Sequence, residues 1–536
     1  MFAFSRTFGE RSSVPVARST GRDSGIPLLV GCSFFLAVLA WQLQAILSLN
    51  GGHFAFTIDD PYIHLAQAEN IAQGHYGLNP GQPAAPSSGV LWPFLLAPFA
   101  SSLHAPWVIV GLNAICSLIT LAVIDRVLSS CVAAGWHRAT LLRSVALVAF
   151  VLATNLVGLV LTGMEHSLQV LLACGVCLGL CELARGRPIP RSFMVCTILG
   201  PMVRYENLAI VAAAACMLWL HGLRRMAIGS LLAIGAGLGC FSMFLVGLGL
   251  TFLPTSVRAK LAMGESTSLH WMVVKNLQTN LATDRGMLFA ASLVTLVGVA
   301  LWARMPSIRK LAACMSLALG LHLLFGQFGW ANRYEIYLWA CALMALATVA
   351  TPDPERLRSA GGSVARACAM IFLVVFACCQ PYVGNLKRLP VAANNVYEQH
   401  YQAHRFAVEY LADKVAANDI GYLAWRNPEP VVDLYGLGCE RTLALRAEAP
   451  QRLDWLRDLV AQEGAPAALV YEHWYEDQIP GDWVRIGRLR LGREKVFVAG
   501  EELSFFATAT ASVQVVRDAA TNFARDLPVG VFFAFD

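Results

Sequence analysis

The chain has 536 residues, of which 57% are hydrophobic and only 14% charged, with a formal net charge of +5. A soluble domain carries roughly 25% charged residues, so a wholly soluble protein is excluded and most of this chain must face lipid or lie buried in a bundle. The positive excess sits in short loops between apolar runs and is read as a sign of membrane topology, with no nucleic-acid partner implied.

Apolar runs of about 18 residues or more recur from residue 26 to residue 383, each long enough to cross a bilayer as a helix. About eleven spans are expected, at 26–49, 107–131, 143–161, 165–183, 192–203, 206–221, 226–250, 286–304, 309–326, 334–350 and 367–383. The first run, IPLLVGCSFFLAVLAWQLQAILSL, lacks a small-residue cleavage site and reads as a retained span. Arg6, Arg11, Arg18 and Arg22 precede it. Further basic loops hold Arg126, Arg138 and Arg143, then Arg185, Arg187 and Arg191, then Arg224 and Arg225. Arg304, Arg309 and Lys310 follow, with Arg356, Arg358 and Arg366 before the last span. Positive loops mark the cytoplasmic side, so the N-terminus is expected inside and the C-terminus outside. Nearly all fifteen cysteines fall in spans, and the helical spacing of Cys174, Cys177 and Cys181 reads as close packing rather than a metal or redox motif.

Residues 1–383 thus read as a membrane domain and residues 384–536 as a soluble α/β domain. In the latter, YEQHYQAHRFAVEYLADKVAA reads as an amphipathic helix and PQRLDWLRDLVAQEG as another. DIGYLAW, PVVDLYG and AALVYEH read as short strands.

The loops expected on the outer face carry the polar residues. Residues 50–106 form the first and hold Asp59 and Asp60. LTGMEHS holds Glu165 and His166, and PMVRYENL holds Arg204 and Glu206. TFLPTSVRAKLA offers Arg258 and Lys260, and GQFGWANRYEIY holds Arg333 and Glu335. Transporters place ionisable residues near mid-membrane, whereas these meet one membrane surface. Asp60 before Pro61 is a good helix cap. The helix it starts, PYIHLAQAENIAQ, would end at Gly74 and turn Tyr62, Ile63, Leu65 and Ala66 to the membrane interface. Asp59 has no capping duty, and an apolar setting would raise its pKa towards acid or base work, plain solvation being the alternative. His64, His75 and His166 are too scattered to make a metal site with the two acids.

The stretch DDPYIHLAQAENIAQGHYGLNPGQPAAPSSGVLWPFLLAP resembles the first outer loop of bacterial GT-C glycosyltransferases, polytopic helical membrane enzymes. GMEH, RYEN, LPTSVRAK and NRYEIY resemble later motifs of that family, in the same order, and DIGYLAW and VVDLYGL resemble its soluble-domain pattern. The sequence departs at His166, where the family has Thr, at Tyr205, where it has Pro, and in PSSGVLW. The resemblance implies a bacterial inner-membrane enzyme with a periplasmic C-terminal domain. It would transfer a sugar, with inversion, from a polyprenyl-phosphate donor to a glycan, lipid or protein acceptor, without a metal or other cofactor. It assigns Asp59 as the general base beside Asp60 and places Arg204, Arg258, Lys260 and Arg333 at the donor phosphate. Glu165, His166, Glu206 and Tyr62 would bind the sugar or hold the arginines. The rival readings are a transporter or flippase of lipid-linked glycans and a non-catalytic scaffold of envelope assembly.

Every site assignment depends on the topology. Reporter fusions at residues 136, 188, 306 and 357 are expected to report cytoplasmic locations, and a fusion at residue 536 an external one. Two of the four appearing outside would overturn the arrangement.

Overall fold

A computed structural model describes residues 25–132, 139–262, 269–351, 379–448 and 454–536; side chains at 260–269 and 272 lie outside the description. Six of its helices are long and apolar enough to cross a membrane: Ile26–Leu49, Ala105–Cys131, His166–Ala184, Arg224–Gly247, Asp284–Trp302 and Pro306–Phe325. Four shorter apolar ones are Ala139–Ala153, Ser192–Val203, Tyr205–Leu220 and Ile336–Ala350. The expected span at 367–383 lies mostly outside the described residues. The His166–Ala184 helix is the inner member of the bundle and packs against Ala105–Cys131, Ser192–Val203 and Ile336–Ala350.

Two features of this part depart from the sequence expectation. The run expected as one span over 143–161 is broken, because Asn155 adopts a left-handed conformation (φ 48°) between the helices Ala139–Ala153 and Leu156–Leu161. The Asp60–Ala72 helix does not turn Tyr62, Ile63, Leu65 and Ala66 outward, as an interfacial helix would. Every residue from Pro61 to Ala68 is buried in protein, and Gly74 (φ 84°) closes its C-terminal end.

The C-terminal part is a mixed α/β unit. Its strands are β1 (Val415–Ala417), β2 (Val431–Asp433), β3 (Ala467–Val470), β4 (Val484–Arg490), β5 (Glu502–Ala507) and β6 (Phe532–Phe535), in the order β2-β1-β3-β5-β4-β6. β1 runs parallel to β2 and β3, and the remaining neighbours are antiparallel. The expected strand DIGYLAW is instead a short helix, Gly421–Ala424. The stretch expected as one helix over 397–417 ends at Leu411 and gives its last residues to β1. That helix carries two π-helical turns, Tyr397–Tyr401 and Phe406–Leu411, a form that recurs at functional sites.

The C-terminal part closes over the first loop through side chains far apart in sequence. Asn79 brackets the edge residue Val431, donating to its carbonyl at 2.9 Å and accepting its N–H at 3.1 Å. Asn394 donates to Asn50, and Arg426 to the Ser101 carbonyl. The Asp59 carboxylate accepts the backbone N–H groups of Gly421 at 2.6 Å and Tyr422 at 2.8 Å. This last contact explains the missing strand: an acid supplied by the loop accepts the first free N–H groups of a helical turn.

Position 421 has no room for a side chain. A Cβ there would lie 2.4 Å from both the Asp59 carbonyl oxygen and its Oδ2. Gly421→Ala is expected to cost about 1–3 kcal/mol and to loosen the closure. Limited proteolysis in detergent should then release the C-terminal part sooner than in wild type, with helix content unchanged.

Candidate active site

The loop residues singled out in the sequence assemble into three clusters. The first loop reaches the bundle where the Thr57 N–H bonds the Leu161 carbonyl at 3.0 Å. The following turn carries Gly163 at φ 69°, where a Cβ would lie 2.7 Å from the Phe56 ring and 2.8 Å from Pro61. Only glycine lets these two loops approach so closely, and the approach brings Glu165 beside His64.

Arg204 centres the first cluster. The Ser192–Val203 helix holds Pro201 near its end, and Arg204 leaves it in an extended conformation (φ −152°, ψ 134°). Its guanidinium forks onto Glu206, with Nε donating at 3.1 Å and Nη2 at 2.6 Å, while Nη1 donates to Glu165 at 2.6 Å. Arg204 is 3% exposed and Glu165 fully buried. Burial pushes the Glu165 carboxyl upward, but Arg204 and His64 outweigh it and hold the group below its ordinary value. Burial lowers His64, whose Nε2 lies 3.5 Å from Glu165, although Glu165 opposes that shift. The Glu206 carbonyl accepts the Tyr337 hydroxyl at 2.7 Å.

Arg333 and Asp60 form the second cluster. Arg333 Nη2 donates to Asp60 at 2.5 Å and to the Tyr334 hydroxyl at 3.3 Å. The Tyr334 ring lies beneath both guanidiniums, 5.1 Å from Arg333 and 5.6 Å from Arg204, and 6.0 Å from the buried His166 ring. Arg333 is 3% exposed, yet among the described residues its Nε and Nη1 meet no hydrogen-bond acceptor. Leaving buried donors unmet costs about 1–3 kcal/mol, and more on a charged group. Asp60 is the accessible acid of the pair, with 37% of its side chain exposed. The backbone leading to Arg333 is itself unusual. Gly329, Trp330, Ala331 and Asn332 take φ values of 84°, 38°, 58° and 52° in succession, a left-handed turn that costs roughly 1–2 kcal/mol at each residue bearing a Cβ.

The third cluster joins Asp59 to His400 and Asp419 of the C-terminal part. His400 Nε2 lies 2.9 Å from Asp419 Oδ2, and one ligand-type atom from each of the three residues falls within 4.8 Å of the others. Burial pushes the Asp59 carboxyl up to about 7, with His400 opposing and Asp419 adding to the rise. Burial would lower His400, but Asp59 and Asp419 together carry it up to about 9. The spacing is one that a divalent cation would accept. Each Asp59 oxygen already takes a backbone N–H, however, and an imidazolium between the two carboxylates meets their charge. Hydrogen bonds hold both Asp59 oxygens and the His400 Nε2, while His400 Nδ1 meets no partner among the described residues.

Of the remaining sequence candidates, Tyr62 is buried, its hydroxyl accepting the Phe56 N–H at 3.2 Å and its ring 4.0 Å from that of Tyr422. Arg258 pairs with Glu440 of the C-terminal part and donates to Thr251, apart from the Arg204 and Arg333 clusters. The Lys260 side chain lies outside the described residues. Sequence reasoning missed His400, Asp419 and Tyr334. Asp419 stood within DIGYLAW without a role, while His400 carries no signal of its own, because a π-helical turn decides where it points.

The family model that matches is a domain of unknown function, DUF8728, over residues 394–510. Among curated proteins no match was found. Among solved structures, the chain is similar to ArnT from Cupriavidus metallidurans bound to undecaprenyl phosphate, at 12% identity and a TM-score of 0.48, over 91% of this chain and 99% of that one. It is also similar to the oligosaccharyltransferase of Archaeoglobus fulgidus in complex with zinc and sulfate, at 12% identity and a TM-score of 0.44, over 92% of this chain and 74% of that one.

Proposed function

We propose that this protein is a membrane-embedded glycosyltransferase that moves a sugar from a polyprenyl-phosphate donor to a hydroxyl of a glycan, lipid or protein acceptor outside the membrane. One observation carries the reading: a buried guanidinium, Arg333, has two nitrogens, Nε and Nη1, without acceptors among the described residues, and its third is paired with Asp60. An anionic oxygen of a phosphate meets that need, and a planar fork of donors suits it. The order of loop motifs along the sequence supports the same reading.

In the proposed reaction the acceptor oxygen attacks the anomeric carbon as the bond from that carbon to the phosphate oxygen breaks. The electron pair leaves with the polyprenyl phosphate, and the acceptor proton passes to Asp59. Displacement on the face opposite the phosphate inverts the anomeric carbon. Each Asp59 oxygen keeps a second lone pair beyond the backbone N–H it accepts. Its pKa near 7 lets it take a proton and later release it near neutral pH. Arg333 neutralises charge as it develops on the phosphate, when the interaction counts most. Asp60 holds the guanidinium from its other side. Arg204, gripped by Glu165 and Glu206, contributes its field, while Arg258 and Lys260 steer the donor from their own loop. His166 and Tyr62 wall the sugar site. A carrier of lipid-linked glycans, the rival from another class, would want its charge at mid-span, and no observation favours it.

Two measurements with a purified polyprenyl-phosphate sugar test the proposal. Asp59→Asn keeps the shape but cannot accept the proton, so turnover should fall about 100-fold or more. A base works deprotonated, so wild-type turnover should rise as pH climbs through about 7, and the residual activity of Asp59→Asn should lack that limb. His400→Gln removes the positive charge that restrains the Asp59 pKa, so the limb should move to higher pH. Normal turnover by Asp59→Asn would rule out this base.

The second measurement concerns the phosphate. Arg333→Lys keeps the charge but loses the planar fork, so its kcat should stay well below wild type while Asp60→Asn remains the milder change. Wild-type kinetics from Arg333→Lys would remove the residue from the phosphate site.

A further inference from the structure

The left-handed turn before Arg333 is held from outside its own backbone. Its first N–H, that of Gly329, donates to the buried Glu335 carboxylate at 3.0 Å. Its last carbonyl, that of Asn332, accepts the Asn155 side-chain amide at 3.0 Å. Within the turn the Arg333 N–H reaches the Gly329 carbonyl at 3.3 Å. Glu335 is fixed in turn by the Tyr382 hydroxyl at 3.2 Å, with Arg285 3.6 Å away. Asn155 sits at the break between two helices and is itself left-handed, at φ 48°. A strained segment persists only where its surroundings over-determine it, and such segments collect at sites that need a fixed geometry. Here the strain lies directly before a buried cation whose Nε and Nη1 meet no acceptor among the described residues.

We infer that Asn155 and Glu335 are positioning residues that clamp the two ends of the Gly329–Asn332 turn and so aim the Arg333 guanidinium at the departing phosphate. The inference rests on the reading of Arg333 given above. Asn155 lies 178 positions before Arg333, so the break in the bundle and the strained turn form one device. Neither clamp touches the reacting atoms; each acts through the backbone that carries Arg333.

The test has a structural arm and a kinetic arm. Asn155→Gly removes the amide but allows the left-handed backbone, so it spares the fold; Asn155→Asp, which keeps the shape without the donor, is the second variant. Amide hydrogen exchange at Gly329 and Arg333 should speed up in both. With polyprenyl-phosphate sugar as substrate, kcat should fall about 10–100-fold, with donor KM changed far less. Glu335→Ala should behave alike, and Glu335→Gln, which keeps an oxygen for the Gly329 N–H, should recover most of the activity. Asn332→Gly should turn over normally and Asn332→Val should not, because a β-branched residue resists the left-handed region. In an Arg333→Ala background, Asn155→Gly should have no further effect. An equal loss in both backgrounds, or unchanged amide exchange in Asn155→Gly, would overturn the inference. If the wild-type protein transfers no sugar at all, the functional reading fails, while the exchange arm still decides whether Asn155 holds the turn.

Discussion

The carboxylate of Asp59 ties the first loop to the C-terminal part beside an apolar core that the two share. It lies 6% exposed near the start of the first loop, and its two oxygens take N–H groups from Gly421 and Tyr422. A buried carboxylate must have such partners, and among the described residues the C-terminal part offers them. The Gly421–Ala424 turn has the reciprocal need, since the opening N–H groups of a helical turn lack acceptors of their own. Each side therefore completes the other, and the aromatic contacts of Tyr62 with Tyr422 and Trp425 pack around the joint.

Around that joint the charges are arranged in order of how fully they are matched. Arg204 faces two carboxylates and uses both edges of its fork, so it stabilises its surroundings and offers little to a newcomer. Among the described residues Arg333 faces one carboxylate and keeps two donor nitrogens in reserve. Asp59 and Asp419 share one imidazolium. Removing one member of a buried pair costs roughly 3–5 kcal/mol, which makes Arg204 a structural centre even under a catalytic reading. The incompletely matched groups are those on which a ligand would have the greatest effect.

The membrane part was legible because a long apolar run with basic ends has few alternative folds. The helices Ile26–Leu49, Ser192–Val203 and His166–Ala184 begin and end within a residue of the positions expected from hydropathy alone. What hydropathy could not reveal was the break at Asn155, since a single polar residue in an apolar run looks the same whether the chain passes straight through or turns. DIGYLAW was misread for a related reason. Its β-like composition is local, whereas the acid that caps it arrives from 362 positions away. The residue types of the site were likewise visible and their pairing was not. Arg333 and Asp60 stand 273 positions apart, and nothing local marks one arginine as saturated and another as open.

The π-helical turn at Tyr397–Tyr401 gives the joint a particular fragility towards changes in length. A π turn is in effect an α-helix with one residue inserted, and each residue advances an α-helix by about 100°. Deleting a single residue just before His400 would let the helix relax to regular winding without loss of helix content. Such a deletion would leave the flanking helix in phase, because the turn already holds one residue beyond regular winding. One further inserted residue would instead rotate the face presented to Asp59 and Asp419 by roughly a quarter of a turn and exchange the imidazole for a neighbour. Among relatives of this chain, substitutions at the joint should therefore be tolerated more readily than single-residue insertions in the helix that supplies it. An alignment that slips by one position there would hide the histidine altogether.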